Sequence, residues 1–450
     1  MGTGARGTPW AIVAIITLAG LVLRCLAARG GLWLDEAWSA IFAHDSVTPA
    51  GVLLHVNHDN NHHLNTLWLQ WIGPDAPPML QRALSIVSGT ATIPVAATIA
   101  ARRNRAASVV AAVAFAISPF LLIYGAEARG YAPMLLAFVV AIGLVDRWLA
   151  EDGASPATAL ALAALFGCLA QATMLFGLVA LGLWALLDRT RSPVATIRVF
   201  ALAAIIAALL VALAWAAAAN SATGFQFGNR EAHDWRKWGM ALDQLWRWSL
   251  GAPLLLLPIA AMARIGRDRL WTLAFLTVVL LPIAIGLLAL PNSGGVRYYA
   301  VAVPPLLLCA AIALPTAWAR GGVWRWIAGG IAAVFLLCAV LHDAQVIANL
   351  RGDPGRAVAV LARVAPRGAS VSVDHPRSTA ILTAAARSQH YALTLADGPC
   401  PPARFHFVER DGDAPFPAPL TRCGQGYRMI AHGDPAGLSG THWRLYAALR

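Results

Sequence analysis

Between Trp10 and Leu341 the sequence returns repeatedly to apolar runs of roughly twenty residues, and runs of that length admit few structures. A helix rises about 1.5 Å per residue and the hydrocarbon layer of a membrane is about 30 Å thick, so about twenty apolar residues cross it once. Inside lipid every backbone N–H and C=O needs a partner within the chain, which makes the helix the spanning unit. Eleven segments qualify: Trp10–Ala28, Met79–Ala101, Ala106–Ile123, Tyr131–Leu149, Pro156–Ala172, Met174–Leu187, Ile197–Ala219, Leu245–Ala263, Leu270–Leu290, Tyr298–Ala319 and Val323–Leu341. Only 12% of the chain is charged and 58% is hydrophobic, where a soluble domain carries about 25% charged residues. The chain reads as a polytopic α-helical membrane protein with about eleven transmembrane helices.

One apolar stretch is left out of that set. "LNTLWLQWIG" (Leu64 to Gly73) runs for only about ten residues before "PDAPP", too short to span, and reads as an interfacial helix. The arginines test this exclusion, because cytoplasmic loops hold the excess of Lys and Arg. With the N-terminus inside, the cytoplasmic connections are "RRNR" (102–105), "DRWLAEDG" (146–153), "DRTRS" (188–192), "RIGRDR" (264–269) and "ARGGVWR" (319–325). Counting Leu64–Gly73 as a span would turn all of these outside. The basic start and the first apolar run read as an uncleaved signal anchor, although "LAA" has the look of a cleavage site.

The formal net charge is +12, from 34 basic and 22 acidic residues. Much of the arginine falls in the expected cytoplasmic loops, where topology and anionic headgroups account for it. No nucleic-acid-binding motif accompanies it. After Leu341 charge and proline increase and no further span follows, so the chain divides into a membrane domain, residues 1–341 with a long first outer loop at 29–78, and an outer soluble domain, residues 342–450. About a hundred residues suffice for a small domain. "ASVSVD" (369–374), "RFHFVE" (404–409) and "WRLYAAL" (443–449) read as strands and "RSTAILTAAARS" (377–388) as a helix, which predicts a small α/β domain. Cys25, Cys168, Cys309 and Cys338 lie in apolar segments, whereas Cys400 and Cys423 lie in the outer domain. An oxidising compartment permits a disulfide between those two.

Polar groups gather on the outer side. The first outer loop holds Asp35 and Glu36 in "GGLWLDEAWSAIF" and then "HVNHDNNHHLN" (55–65), with His58, Asp59 and His62. The second, "YGAEARGYA" (124–132), holds Glu127, Arg129 and Tyr131, and "PNSGGVRYYA" (291–300) brings Arg297 and Tyr298 to the mouth of a span. Each has an ordinary explanation as a solvated acid, a snorkelling arginine or an interfacial aromatic. Their convergence from three distant loops does not. His58 and His62 stand four apart, which suits a metal only on a helix, and the Asp59-Asn60-Asn61 between them favours a turn. No metal site is assigned, and a divalent cation stays open.

"LWLDEAWSA", "HDNNHHLN", "YGAEARGYAPMLL" and "RYYAVAVPPLLL" resemble the GT-C glycosyltransferases, in the bacterial branch related to protein O-mannosyltransferases and lipid A aminoarabinose transferases and labelled RgtA/B/C/D-like. The resemblance covers roughly Trp10 to Leu341. It implies transfer of a sugar from a polyprenyl-phosphate carrier to a cell-envelope glycan, lipid or protein acceptor on the outer face of the bacterial inner membrane, usually with inversion. By that resemblance Asp35 matches the general base and Glu36 the neighbour that shapes the acceptor site. Glu127 matches a second-loop acid; Arg129, Tyr131, Arg297 and Tyr298 match the side that holds the carrier phosphate. The departure is "HHLN" at 62–65, where relatives commonly carry a His-Pro-Pro or Lys-Pro-Pro turn.

Elementary chemistry reaches the same place. A donor with an isoprenoid tail stays in the bilayer, so its reacting carbon meets protein at the interface. An acceptor hydroxyl needs a base as it attacks, and a departing phosphate needs fixed cations, for which arginine is suited. The alternative is a secondary transporter or flippase, which calls for ionisable groups near the membrane midplane; here the span centres are Ala, Leu, Val and Ile. A scaffold without activity gives no reason for acids and arginines to share one face.

Overall fold

In a computed structural model of the protein, residues 9–54, 62–219, 232–249, 268–398, 400, 403–412, 414–417 and 420–449 are described. Helices carry the chain from Trp10 to Asn349, and a six-stranded sheet follows. Among the described residues seven helices are long and apolar enough to cross a membrane: Trp10–Ala27, Ala83–Ala101, Tyr131–Ala150, Pro193–Ala219, Leu270–Leu287, Val296–Arg320 and Gly322–Gly352. Arg105–Ile117, Ala157–Ala170 and Met174–Asp188 are apolar but shorter. These ten fall on ten of the eleven expected spans. Most of the eleventh, Leu245–Ala263, lies outside the described residues, and its start belongs to an amphipathic helix, Trp235–Trp248.

Proline sets the breaks. The expected span Ala106–Ile123 is two helices, Arg105–Ile117 and Pro119–Tyr124, because Pro119 has no N–H to give the carbonyl of Phe115. Arg24, buried in the first span, supplies the missing donor: its Nη2 lies 3.0 Å from Phe115 O and its Nη1 3.4 Å from Ala116 O. In Leu270–Leu287 the turn Leu276–Leu280 is a π-helix, just ahead of Pro282.

Three of the loops expected in the cytoplasm meet at one end of the bundle. Arg103 grips Asp146 with Nη1 and Nη2 (2.5 and 2.7 Å) and Asp268 with Nε and Nη2 (2.7 and 2.9 Å). At the other end the short helix His63–Ile72 takes the place of the excluded stretch, and its Trp71 is 78% exposed.

The last long helix runs past Leu341 to Asn349. The sheet comprises β1 (Ala369–Val373), β2 (Leu393–Ala396), β3 (Phe405–Arg410), β4 (Leu420–Arg422), β5 (Gln425–Gly433) and β6 (His442–Ala448), in the order β2-β1-β3-β6-β5-β4. β1 is parallel to β2 and β3, and the remaining pairings are antiparallel. Cys400 and Cys423 are joined by a disulfide, with Cα atoms 5.9 Å apart. The sheet does not keep its core to itself: Leu32 and Ala37 of the first outer loop and Leu69 share one buried cluster with Ile381, Phe407 and Trp443. The helix Ser378–Ser388 packs directly on Leu34–Asp45, and this contact places the sheet domain over the carboxylates of the first loop.

Candidate active site

Asp35 and Glu36 open the helix Leu34–Asp45, where negative charge is favoured by the unpaired N–H groups of the first turn. Adjacent residues on a helix point about 100° apart, and the two carboxylates meet different surroundings. Asp35 is 27% exposed, and its Oδ2 accepts from Arg129 Nη1 at 2.6 Å and Arg297 Nη1 at 3.1 Å. The three loops that the sequence brings to one face therefore meet at one oxygen atom.

Glu36 turns inward and is fully buried. Its Oε1 accepts from Arg82 Nε (2.8 Å) and Ala128 N (2.7 Å), and its Oε2 from Arg82 Nη2 (2.5 Å) and Trp33 N (3.1 Å). Burial opposes ionisation, but the charge and hydrogen bonds of Arg82 outweigh it and hold the carboxyl below the ordinary Glu range. Arg82, also fully buried, spends its other N–H groups on the carbonyls of Ala28, Gly30 and Gly31 at 2.8–2.9 Å. Glu36 and Arg82 thereby fold the start of the first loop around a buried ion pair.

The second outer loop is buried from end to end. Asn65 Nδ2 donates to Ala128 O (2.7 Å), Ser85 Oγ to Arg129 O (2.8 Å), and Gly130 N to His62 Nδ1 (3.3 Å). A Cβ on Gly130 would lie 1.7 Å from Ala170 O, so only glycine fits there. This frame aims Arg129, whose guanidinium lies 5.8 Å from the Trp33 ring and 5.2 Å from the Tyr131 ring.

Several residues expected to meet substrate are enclosed by protein. His62 is buried with its Nδ1 3.3 Å from Ala170 O and its ring edge-on to Tyr131. Burial and then the charge of Arg129 hold its imidazole well below the ordinary range, so it is neutral. Glu127 is fully buried, and its nearest cation is Arg351, with Nε 3.8 Å from Oε1. Burial raises its carboxyl above the ordinary range against the pull of Arg351 and Arg129. Tyr131 is buried behind Arg129. For Glu127 and Tyr131 the reason is that a short loop wedged between spans has no solvent-facing side, and His62 is buried because it packs against that loop at Gly130 and Tyr131. His58 and Asp59 lie outside the described residues. Among the described residues no three His, Cys, Asp or Glu side chains gather as a metal site.

A cavity of about 520 Å³ is lined by Leu169, Leu210, Val211 and Leu290, with His63 and Tyr298 among its polar lining residues. Arg297 lies 5.9 Å from the Tyr298 ring, so the cationic cluster and the apolar cavity adjoin. Arg82, Arg351 and His63 are the contributors that sequence reasoning did not assign to the site. Arg82 directly follows "PMLQ" at the foot of a span, a signal equally consistent with an interfacial arginine.

No protein-family model matches the chain, and no curated protein matches it in sequence. Its structure is similar to two crystal structures of ArnT, a lipid A aminoarabinose transferase, from Cupriavidus metallidurans. The one bound to undecaprenyl phosphate has a TM-score of 0.57 at 14% identity, over 97% of each chain. The apo form has a TM-score of 0.59 at 11% identity, over 86% of each chain. The fold is the one these two structures share, which the sequence leads us to expect as the GT-C fold.

Proposed function

We propose that this protein is a glycosyltransferase that moves a pentose or hexose from a polyprenyl-phosphate carrier to an acceptor hydroxyl at the outer face of a bacterial inner membrane, with its N-terminus in the cytoplasm. The observation that carries the reading is the Asp35–Arg129–Arg297 cluster beside an apolar cavity. One carboxylate between two guanidiniums leaves one positive charge to balance, and a polyprenyl phosphosugar carries one negative charge on its phosphodiester. The ArnT structure with undecaprenyl phosphate supports a lipid of this class.

In this reading the isoprenoid tail enters the cavity and the phosphate takes over hydrogen bonds of Arg129 and Arg297, which releases Asp35 Oδ2 toward the acceptor. Asp35 accepts the hydroxyl proton as the oxygen attacks C1 of the sugar. The bond from C1 to the phosphate oxygen breaks, and both electrons leave with the carrier phosphate, whose added charge the two arginines neutralise. A single displacement inverts the anomeric centre. Glu36 and Glu127 are positioning residues, since neither has a free path to substrate.

The test is to incubate purified protein with undecaprenyl-phosphate pentoses, hexoses and amino sugars and measure released undecaprenyl phosphate. Asp35→Asn is expected to lower turnover by about 10²–10⁴-fold and still bind undecaprenyl phosphate. Wild-type turnover in the Asn variant would remove Asp35 from the chemistry.

A further inference from the structure

The last long helix joins the sheet domain through a left-handed turn. Leu350, Arg351, Gly352 and Asp353 have φ of 51°, 57°, 80° and 40°, and three of the four carry side chains that disfavour this region. Backbone of this kind persists only where its surroundings over-determine it, and here they do. Arg351 O accepts from Thr441 N at 3.2 Å, Gly352 O from Trp443 Nε1 at 2.7 Å, and a Cβ on Gly352 would lie 2.5 Å from Thr441 O.

The contacts that leave this turn run to the catalytic loops. The first N–H groups of a helix have no partner inside it. In the helix that presents Asp35, the Leu34 N–H donates to Thr441 Oγ1 at 3.1 Å. Upstream, Gly31 N donates to Asp353 Oδ1 at 2.8 Å, and a Cβ on Gly31 would lie 2.4 Å from Gly355 N, so the two backbones touch. Arg351 Nη1 donates to Ala27 O at 2.9 Å, and its Nη2 to Ile123 O at 3.1 Å. Its Nε faces Glu127, two residues ahead of Arg129. The turn at 350–353 and Thr441, which is hydrogen-bonded to it, thus reach the approaches to both Asp35 and Arg129.

We infer that the sheet domain is a positioning device for the catalytic base: Thr441 caps the helix that carries Asp35, and Asp353 and Arg351 fix the chain ahead of Asp35 and ahead of Arg129. The inference rests on the transferase reading for its consequence in turnover, though not for its geometry. Thr441, Asp353 and Arg351 are positioning residues; none touches Asp35 itself.

The test uses the full chain in detergent, with Thr441→Val, which keeps the size and loses the acceptor, and Thr441→Ser, which keeps the acceptor. Amide exchange is read over peptides covering residues 30–42, and kcat and KM on whichever undecaprenyl phosphosugar the wild type consumes. The expected result for Thr441→Val is lost protection at the start of that helix and a kcat lower by about 10- to 100-fold. Donor KM and thermal midpoint should stay near wild type, and Thr441→Ser should restore protection and kcat together. Wild-type protection and kcat in Thr441→Val would overturn the inference, as would equal losses in both variants. If the wild type consumes no donor, the transferase reading fails, and the exchange measurement still decides whether the sheet domain holds the helix.

Discussion

Replacing Arg82 with Met keeps the apolar stem and removes the cation that Glu36 faces. Glu36 would retain donors only from Trp33 N and Ala128 N, in a site with no exposure to solvent. A carboxylate stranded in this way escapes by taking a proton, and that sets the electrostatic cost. At pH 7 protonation lies about 2.7 pH units from the ordinary Glu value near 4.3, or about 3.7 kcal/mol at 1.36 kcal/mol per unit, within the range seen when one partner of a buried pair is removed. The cost falls to about 1 kcal/mol at pH 5 by the same arithmetic. The sign follows from linkage. With Arg82 present the folded carboxyl lies below its unfolded value, so its stabilisation is present at both pH values and lost only on further acidification. Without Arg82 the folded value rises, and destabilisation grows with pH. The three carbonyls that lose their donor, Ala28, Gly30 and Gly31, add a part that does not vary with pH. Thermal unfolding in detergent, followed by a thiol-reactive fluorophore that reads the buried Cys168 and Cys309, should show a larger gap between Arg82→Met and wild type at pH 7 than at pH 5. In Arg82→Met with Glu36→Gln the gap should stop depending on pH. Equal gaps at the two pH values in the single variant would refute the reasoning.

Arg297→Ala should raise the donor KM and lower kcat together, since it removes one of two cations that hold the phosphate in the ground state and hold it more strongly as charge develops on it in the transition state; an unchanged donor KM would place the carrier phosphate elsewhere. Ala214→Trp, which projects bulk into the 520 Å³ cavity, should weaken binding of undecaprenyl phosphate while leaving the Asp35 cluster intact, and undiminished binding would mean that the tail lies outside the cavity. In the sheet domain, burial and the charge of Arg422 push His406 down to about 4. An imidazole with a lowered folded value contributes fully above its ordinary value near 6.5 and loses stability for the fold as pH falls from there toward 4. Thermal midpoints at pH 7.5 and 5 should separate in the wild type more than in His406→Phe, and identical separations would exclude His406 as the source.

What the sequence showed of this fold is what local pattern can carry. Twenty apolar residues in a row identify a span wherever they stand, and ten of eleven expected spans correspond to apolar helices in the structure. Pro119 sits in plain view inside one run, yet the break it causes needs Arg24, about ninety residues earlier, to be tolerable. Asp35, Arg129 and Arg297 were legible because a charged residue at the end of a span, among short polar motifs, has few local reasons to be there. Glu36, Glu127 and His62 carry the same signal in sequence and are buried, as Arg129 also is, and no motif encodes which of the buried groups reaches Asp35. The rule that separates them is energetic. A charge facing water needs no partner, and Asp35 keeps such a face at 27% exposure. A charge inside protein must be matched when the chain folds. Each buried group here is therefore one half of a pair whose other half lies far along the chain: Arg82 is 46 residues from Glu36, and Arg351 is 324 residues from the carbonyl it satisfies at Ala27. The partner that makes such a residue structural can only be seen in the folded protein, and the contacts of Arg351 and Asp353 bind the sheet domain to the approach of the loop that holds Asp35.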